Sequence, residues 1–173
     1  MSTMDIPTAA VVVVGFTAVV CDVRTRRIPN VLTFGASAAA LLYATVTGGV
    51  SGLAMASGGW VLGAALFFPI FALGGMGAGD LKLMAALGAW LGPADTIPLA
   101  IFASIAGGVL ALVVSLATGY SRQAFTNLRL MLMHWRVTGL QPVPGLMLTD
   151  TRSPRLAYAI PITIGALCTL WRH

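Results

Sequence analysis

The sequence contains no glutamate, only one lysine and only two cysteines. All five acidic residues are aspartates: Asp5, Asp22, Asp80, Asp95 and Asp150. Charged residues make up 9% of the 173 positions, and 58% are hydrophobic. A soluble domain carries about 25% charged residues, so there is too little polar surface here to clothe a water-facing globule. The same apolar excess excludes a disordered chain. Cys21 and Cys168 both lie in apolar runs and form no Cys-x-x-Cys pair. Neither a zinc site nor a disulfide framework is therefore signalled. What is present instead is a series of long apolar runs, which makes this an integral membrane protein.

The net charge of +5 would point to nucleic acid in a soluble protein. In a membrane protein, excess arginine instead marks loops facing anionic lipid on the cytoplasmic side. Membrane lipids, not nucleic acid, are the expected charged partners. The first apolar run has no basic region before it and no clean cleavage site after it, so it reads as a retained span rather than a removed signal peptide.

A bilayer-crossing helix needs about 20 mainly apolar residues. Six segments meet or approach this: residues 6–21, 31–50, 53–73, 79–91, 97–118 and 156–171. The fourth is short and is limited by Pro93. With six spans, Arg24, Arg26, Arg27, Lys82, Arg122, Arg129, Arg136, Arg152 and Arg155 all fall on one side, and only Arg172 falls on the other. The positive-inside rule makes that side the cytoplasm and both termini extracytoplasmic. The expected fold is all-α: a polytopic bundle of about six transmembrane helices, forming one membrane-embedded domain over residues 1–173.

The long cytoplasmic loop, residues 119–155, has a pattern of its own. Arg122, Arg129 and Arg136 recur every seven residues and share a helical face, while Phe125, Leu128, Leu132 and Trp135 share another. This is the pattern of an amphipathic helix lying in the membrane interface, with snorkelling arginines. His134 within it is expected to be solvated or interfacial. Pro142, Pro144 and Gly145 mark a turn.

Because carboxylates are few, each can be weighed separately. Asp5 and Asp95 lie in outer polar segments, and Asp150 lies in the loop. Asp22 and Asp80 differ from these. Each stands at the cytoplasmic edge of an apolar span, where an ionisable side chain is costly and is a functional candidate by default; at the bilayer centre the cost is about 2.5–3.5 kcal/mol. Their structural readings are a boundary carboxylate beside Arg24 or Arg26 for Asp22, and a helix N-cap for Asp80. Their chemical reading is a pair. One carboxylate activates water while the other protonates the leaving amine, and close carboxyls share a proton.

The surrounding residues favour the pair. The segment Asp22-Val23-Arg24-Thr25-Arg26-Arg27-Ile28-Pro29-Asn30 resembles the first catalytic motif of the type IV prepilin peptidases. Gly77-Ala78-Gly79-Asp80-Leu81-Lys82 resembles their second motif, Gly-x-Gly-Asp-x-Lys. Tyr158-Ala159-Ile160-Pro161-Ile162 looks like their closing segment, although Leu156-Ala157 replaces its first proline. The resemblance implies a membrane aspartic endopeptidase with Asp22 and Asp80 as its catalytic residues. It implies no metal and no organic cofactor. The implied substrate is a prepilin-like protein whose leader is cut on the cytoplasmic face of the inner membrane, just before its hydrophobic helix. The larger family members carry an N-terminal cytoplasmic domain associated with methylation. Here five residues precede the first span, so N-methyltransferase activity is not expected. The compact layout resembles the small branch that processes Flp-type pilins of tight-adherence secretion systems.

Supporting residues have plainer readings beside their functional ones. Gly77 and Gly79 suit close backbone approach, either for an extended substrate strand or for simple helix termination. Lys82 is two residues beyond Asp80, so a helix turns it about 200° away. It is expected to be a snorkelling anchor. Pro29 and Asn30 are expected to begin the second span, with asparagine as a cap. Pro69 and Pro161 are expected to kink their spans. The small-residue run 35–40, together with Gly59 and Gly63, is expected to pack helices. Met76 and Met84 are expected to fill the core. The alternatives are a preflagellin-type leader peptidase and, in a different class, a small proton-coupled transporter. No charged path to the far membrane face supports the transporter. In a third reading, a non-enzymatic membrane subunit, neither aspartate would matter.

Overall fold

The computed structural model describes residues 5–119, 121–139, 141 and 156–172. Every element among them is an α-helix: α1 (Ile6–Thr25), α2 (Asn30–Ala72), α3 (Ala78–Ala117), α4 (Ser121–Thr138) and α5 (Ala159–Trp171). By length and composition α1, α2 and α3 are each able to cross a membrane, and α5 is a shorter apolar helix.

α2 has 43 residues and α3 has 40. A straight helix of that size would run about 60–65 Å, twice the roughly 30 Å of a bilayer core. Neither helix is straight. Gly49 (φ 57°, ψ −142°) and Gly92 (φ 76°, ψ 172°) leave the helical region near the middle of each. Glycine adopts such positive-φ geometry without a side-chain clash. The two halves of α2 then lie side by side. Trp60 Nε1 donates to Ser37 Oγ at 3.2 Å, although the two residues are 23 positions apart. Along a straight helix they would be about 35 Å apart. The breaks fall close to the expected gaps between the second and third and between the fourth and fifth apolar segments. Pro93 does not end α3 as expected; Gly92 makes the bend, and Pro93 sits in the first turn of the half that follows, where a missing N–H costs little.

Small residues set the packing. A Cβ on Gly59 would collide with the carbonyl of Gly88, and a Cβ on Gly63 would lie 2.6 Å from that of Met84. The second half of α2 and the first half of α3 are therefore antiparallel with their backbones nearly touching, as expected for Gly59 and Gly63. Of the 35–40 run, Ala36, Ser37 and Ala40 are buried, but Gly35 meets nothing within 4 Å. The first half of α3 is the central helix, with Leu83, Met84, Ala86 and Leu87 fully buried. Met76 and Met84 are core residues.

α1 buries Val11, Val14, Gly15, Ala18 and Asp22, a stripe at spacings of three and four that forms a single face. Asp22 thus occupies a core position. α5 packs against both α1 and α3. Thr163 Oγ1 donates to the carbonyl of Gly15 at 3.1 Å, and Gly165 abuts Ala103. Pro161 lies in the first turn of α5 and not mid-span, so the expected kink is absent. Its missing N–H belongs to a turn that would have no helical acceptor for it.

α4 occupies part of the predicted cytoplasmic loop. It contains no acidic residue; Arg122, Arg129 and Arg136 are exposed, and Phe125 is 72% exposed. Pro142, Pro144, Gly145, Asp150, Arg152 and Arg155 lie outside the described residues.

Candidate active site

The end of α1 is closed by Arg26, which takes up a left-handed conformation (φ 54°) and donates its N–H to the carbonyl of Asp22 at 2.8 Å. Such a conformation costs an L-residue about 1–2 kcal/mol. It turns the chain sharply within a few residues. Thr25 Oγ1 bonds the carbonyls of Cys21 (2.8 Å) and Arg27 (3.0 Å) across the turn. Ile28 is thereby driven inward onto Gly79, where a Cβ would stand 3.2 Å from the Ile28 Cβ. The first motif is in this way pinned against the second.

α3 begins after an extended Gly77 at its N-cap. Asp80 is the third residue of the helix. Its Oδ2 accepts the Gly77 N–H at 3.2 Å, the carboxylate half of a capping box. Asp80 therefore does not occupy the N-cap position, but it does satisfy a helix-end donor. It is 8% exposed, and Asp22 is 7% exposed. The contact of Ile28 with Gly79 brings the end of α1, with Asp22, against the start of α3, with Asp80. Among the described residues Asp22 has no side-chain ion pair with Arg24 or Arg26, and its carboxylate has an unforeseen partner. Asp22 Oδ2 accepts the backbone N–H of Ala159, 137 residues away, at 3.2 Å. Tyr158, the residue before it, is half-buried and lies within electrostatic reach of Asp80. Three elements thus converge: the last turn of α1 and the first turns of α3 and α5.

Lys82 is engaged with α2 and is no free anchor. Its Nζ donates to Asn30 Oδ1 at 2.9 Å and lies 5.0 Å from the centre of the Phe34 ring. Asn30 is the first residue of α2 and does not cap it; the N-cap position is held by Pro29 in an extended conformation without a side-chain bond. Asn30 instead uses its side-chain oxygen to tie α2 to α3. The pairing of Lys82 with Asn30 spans 52 residues, and helical periodicity alone could not reveal it. The Tyr158–Ile162 segment did carry a signal in the sequence, but its contact is made by a backbone amide, which no residue type announces.

Residues 9–112 match the model of the type IV leader peptidase family. That range includes both aspartates, the glycine motif and Lys82. The chain is also 33% identical over 112 residues to a prepilin leader peptidase/N-methyltransferase of Xanthomonas campestris pv. campestris. The match covers 58% of this chain and 37% of that protein. No solved structure matches. With the family model covering more than half of its length, the chain belongs to the type IV leader peptidase family.

Proposed function

We propose that this protein is a membrane aspartic endopeptidase that removes the leader peptide from prepilin-like precursors of the Flp type. The observation that supports this reading is the burial of Asp22 and Asp80, carboxylates at two helix ends that the packing of Ile28 on Gly79 holds against each other. Burying two such groups together is costly and is rare unless chemistry uses them.

The reaction requires little else. A carboxylate of the pair takes a proton from a water molecule while its oxygen bonds to the scissile carbonyl carbon. The carbonyl π electrons move onto oxygen. That pair then re-forms the carbonyl as the carbon–nitrogen bond breaks, and its electrons leave with nitrogen, which takes a proton from the protonated carboxyl. The products are a leader ending in a carboxylate and a mature chain beginning with an amine. The pair acts as a unit, with neither aspartate assigned a fixed role. No metal or cofactor enters these steps.

The proposed setting is the inner membrane. The chain forms one domain and crosses six times, using α1, both halves of α2, both halves of α3, and α5. Its aspartate end faces the cytoplasm, and its N-terminus lies outside. The bias of Lys and Arg supports this orientation. α4 lies along the cytoplasmic interface, with its arginines toward anionic headgroups. The precursor's hydrophobic helix sits in the bilayer, and its leader reaches the site from the cytoplasm. The extended Gly77 leaves slim backbone beside Asp80, suited to a substrate strand, since a peptide bond within a helix is shielded from attack. N-methylation is not part of the proposed activity.

The test is cleavage of a purified pilin precursor with an intact leader. Wild-type protein should release the leader, and Asp22→Asn and Asp80→Asn should each abolish release while remaining folded. Normal cleavage by either variant overturns the pair mechanism.

A further inference from the structure

The aspartate pair offers one proton at most, and in the mechanism above that proton goes to the leaving nitrogen; an ionised carboxylate only accepts hydrogen bonds. Carbonyl addition also places negative charge on the substrate oxygen, and a further positioned donor there is usually a large part of catalysis. The nearby donors are already committed. The Gly77 amide donates to Asp80 and the Ala159 amide to Asp22. Lys82 Nζ donates to Asn30. Tyr158 remains. Among the described residues its hydroxyl makes no hydrogen bond, and the residue is half-buried.

Its placement is firm. Ala159 is fully buried with its amide on Asp22. One turn further along α5, Thr163 is bonded to Gly15 of α1. A Cβ at Gly15 would stand 2.9 Å from the Thr163 Cγ2, so the two helices have no slack between them. The residue after Tyr158 is therefore tied to Asp22, while the Tyr158 phenol lies within electrostatic reach of Asp80. An ordinary interfacial tyrosine points its hydroxyl into headgroup water. Tyr43 illustrates another structural use, its ring 5.7 Å from that of Trp90. Tyr158 is placed differently: it directly precedes the amide that binds Asp22, at the end of the molecule where Ile28 packs on Gly79.

We propose that Tyr158 is a third catalytic residue, whose phenol O–H hydrogen-bonds the scissile carbonyl oxygen as that oxygen becomes an oxyanion. This rests on the leader-peptidase reading above. Water oxygen bonds to the carbonyl carbon, the π pair moves onto the carbonyl oxygen, and the Tyr158 O–H donates to it without giving up its proton. When the carbon–nitrogen bond breaks, the electrons return to re-form the carbonyl, and the phenol is left as it began.

The experiment compares the full-length wild-type protein with Tyr158→Phe on a precursor bearing its leader. Phenylalanine keeps the ring and removes only the donor. Loss of one oxyanion donor lowers turnover by about 10²–10³-fold. The expected result is a fall in kcat of about that size with KM unchanged and an unaltered melting temperature. A Tyr158→Phe kcat within about twofold of wild type overturns the proposal, as does a raised KM at unchanged kcat, which marks ground-state binding. If Tyr158→Phe does not fold, fluorotyrosines placed at position 158 decide the matter. A kcat that varies with phenol acidity supports the donor role, and an invariant kcat overturns it. A wild-type protein that leaves the precursor intact overturns the leader-peptidase reading and this proposal with it. Wild-type cleavage with a fully active Tyr158→Phe removes Tyr158 alone.

Discussion

Asp95 and the pair Asp22–Asp80 are carboxylates of the same apolar chain, and they are housed differently. Asp95 lies just past the bend of α3, at the end of the molecule away from the pair. Arg172 NH2 is 2.9 Å from its Oδ1, and the two side chains are 22% and 51% exposed for Asp95 and Arg172. That is a surface ion pair, partly wet. Asp22 and Asp80 are buried more deeply, and each accepts a backbone N–H. An amide dipole orients a carboxylate without neutralising it. The difference shows what a carboxylate at a membrane protein's edge costs when it serves only structure. It is given a counter-ion and left near water, where the pair contributes about 0–1 kcal/mol. Asp22 and Asp80 are instead each held by a backbone amide, the setting that the proposed chemistry would use.

This contrast is open to direct attack. The largest effect is expected from Asp22→Asn and Asp80→Asn, each lowering cleavage of a pilin precursor by about 10³-fold or more. Asp95→Asn in the same assay should stay within about twofold of wild type. An Asp95→Asn variant as inactive as the other two would erase the distinction between the two ends. Gly59→Leu should come next, through the fold and not the chemistry. Its side chain would have to enter the backbone of Gly88, and overpacking of this kind costs about 1–3 kcal/mol or more. Thermal unfolding in detergent should show a clearly lowered midpoint. Asn30→Ala is expected to act more weakly, leaving Lys82 without its side-chain acceptor. Loss of one such bond costs about 0.5–1.5 kcal/mol. Lys82→Met should behave similarly in stability, and a double variant should fall short of the sum, since both remove one contact. The smallest change belongs to the stability of Asp95→Asn, at most about 1 kcal/mol and shrinking as salt rises. A shift in its melting temperature that persists at high salt would show that Asp95 is more than a surface partner.

The helical character of the chain was legible because apolar runs about 20 residues long leave few other options. The positions of the bends were nearly legible. Pro93 drew attention to the right place, yet the positive-φ residue is its neighbour Gly92. Pro161 misled for a related reason. A proline interrupts a helix only where its N–H would have had a partner, and the position of α5's first turn determines that. Asn30 and Lys82 were both expected to act locally, as a cap and as an anchor. Side chains of this reach also find partners on other helices, and spacing along one helix is silent about them.

Composition and pattern by themselves determined that the chain enters a membrane as helices. They also singled out Asp22 and Asp80, because scarcity left few carboxylates to choose from and the flanking motifs are distinctive. Only the tertiary structure decided which groups meet these aspartates. Asp22 is held by an amide of α5 and Asp80 by the amide of Gly77, and Tyr158 is the residue directly before the first of these amides. Backbone amides are common to almost every residue and leave no mark in a sequence. Their partners are chosen by the close approach of helices, set in this protein by Gly15 against Thr163 and by Gly59 against Gly88.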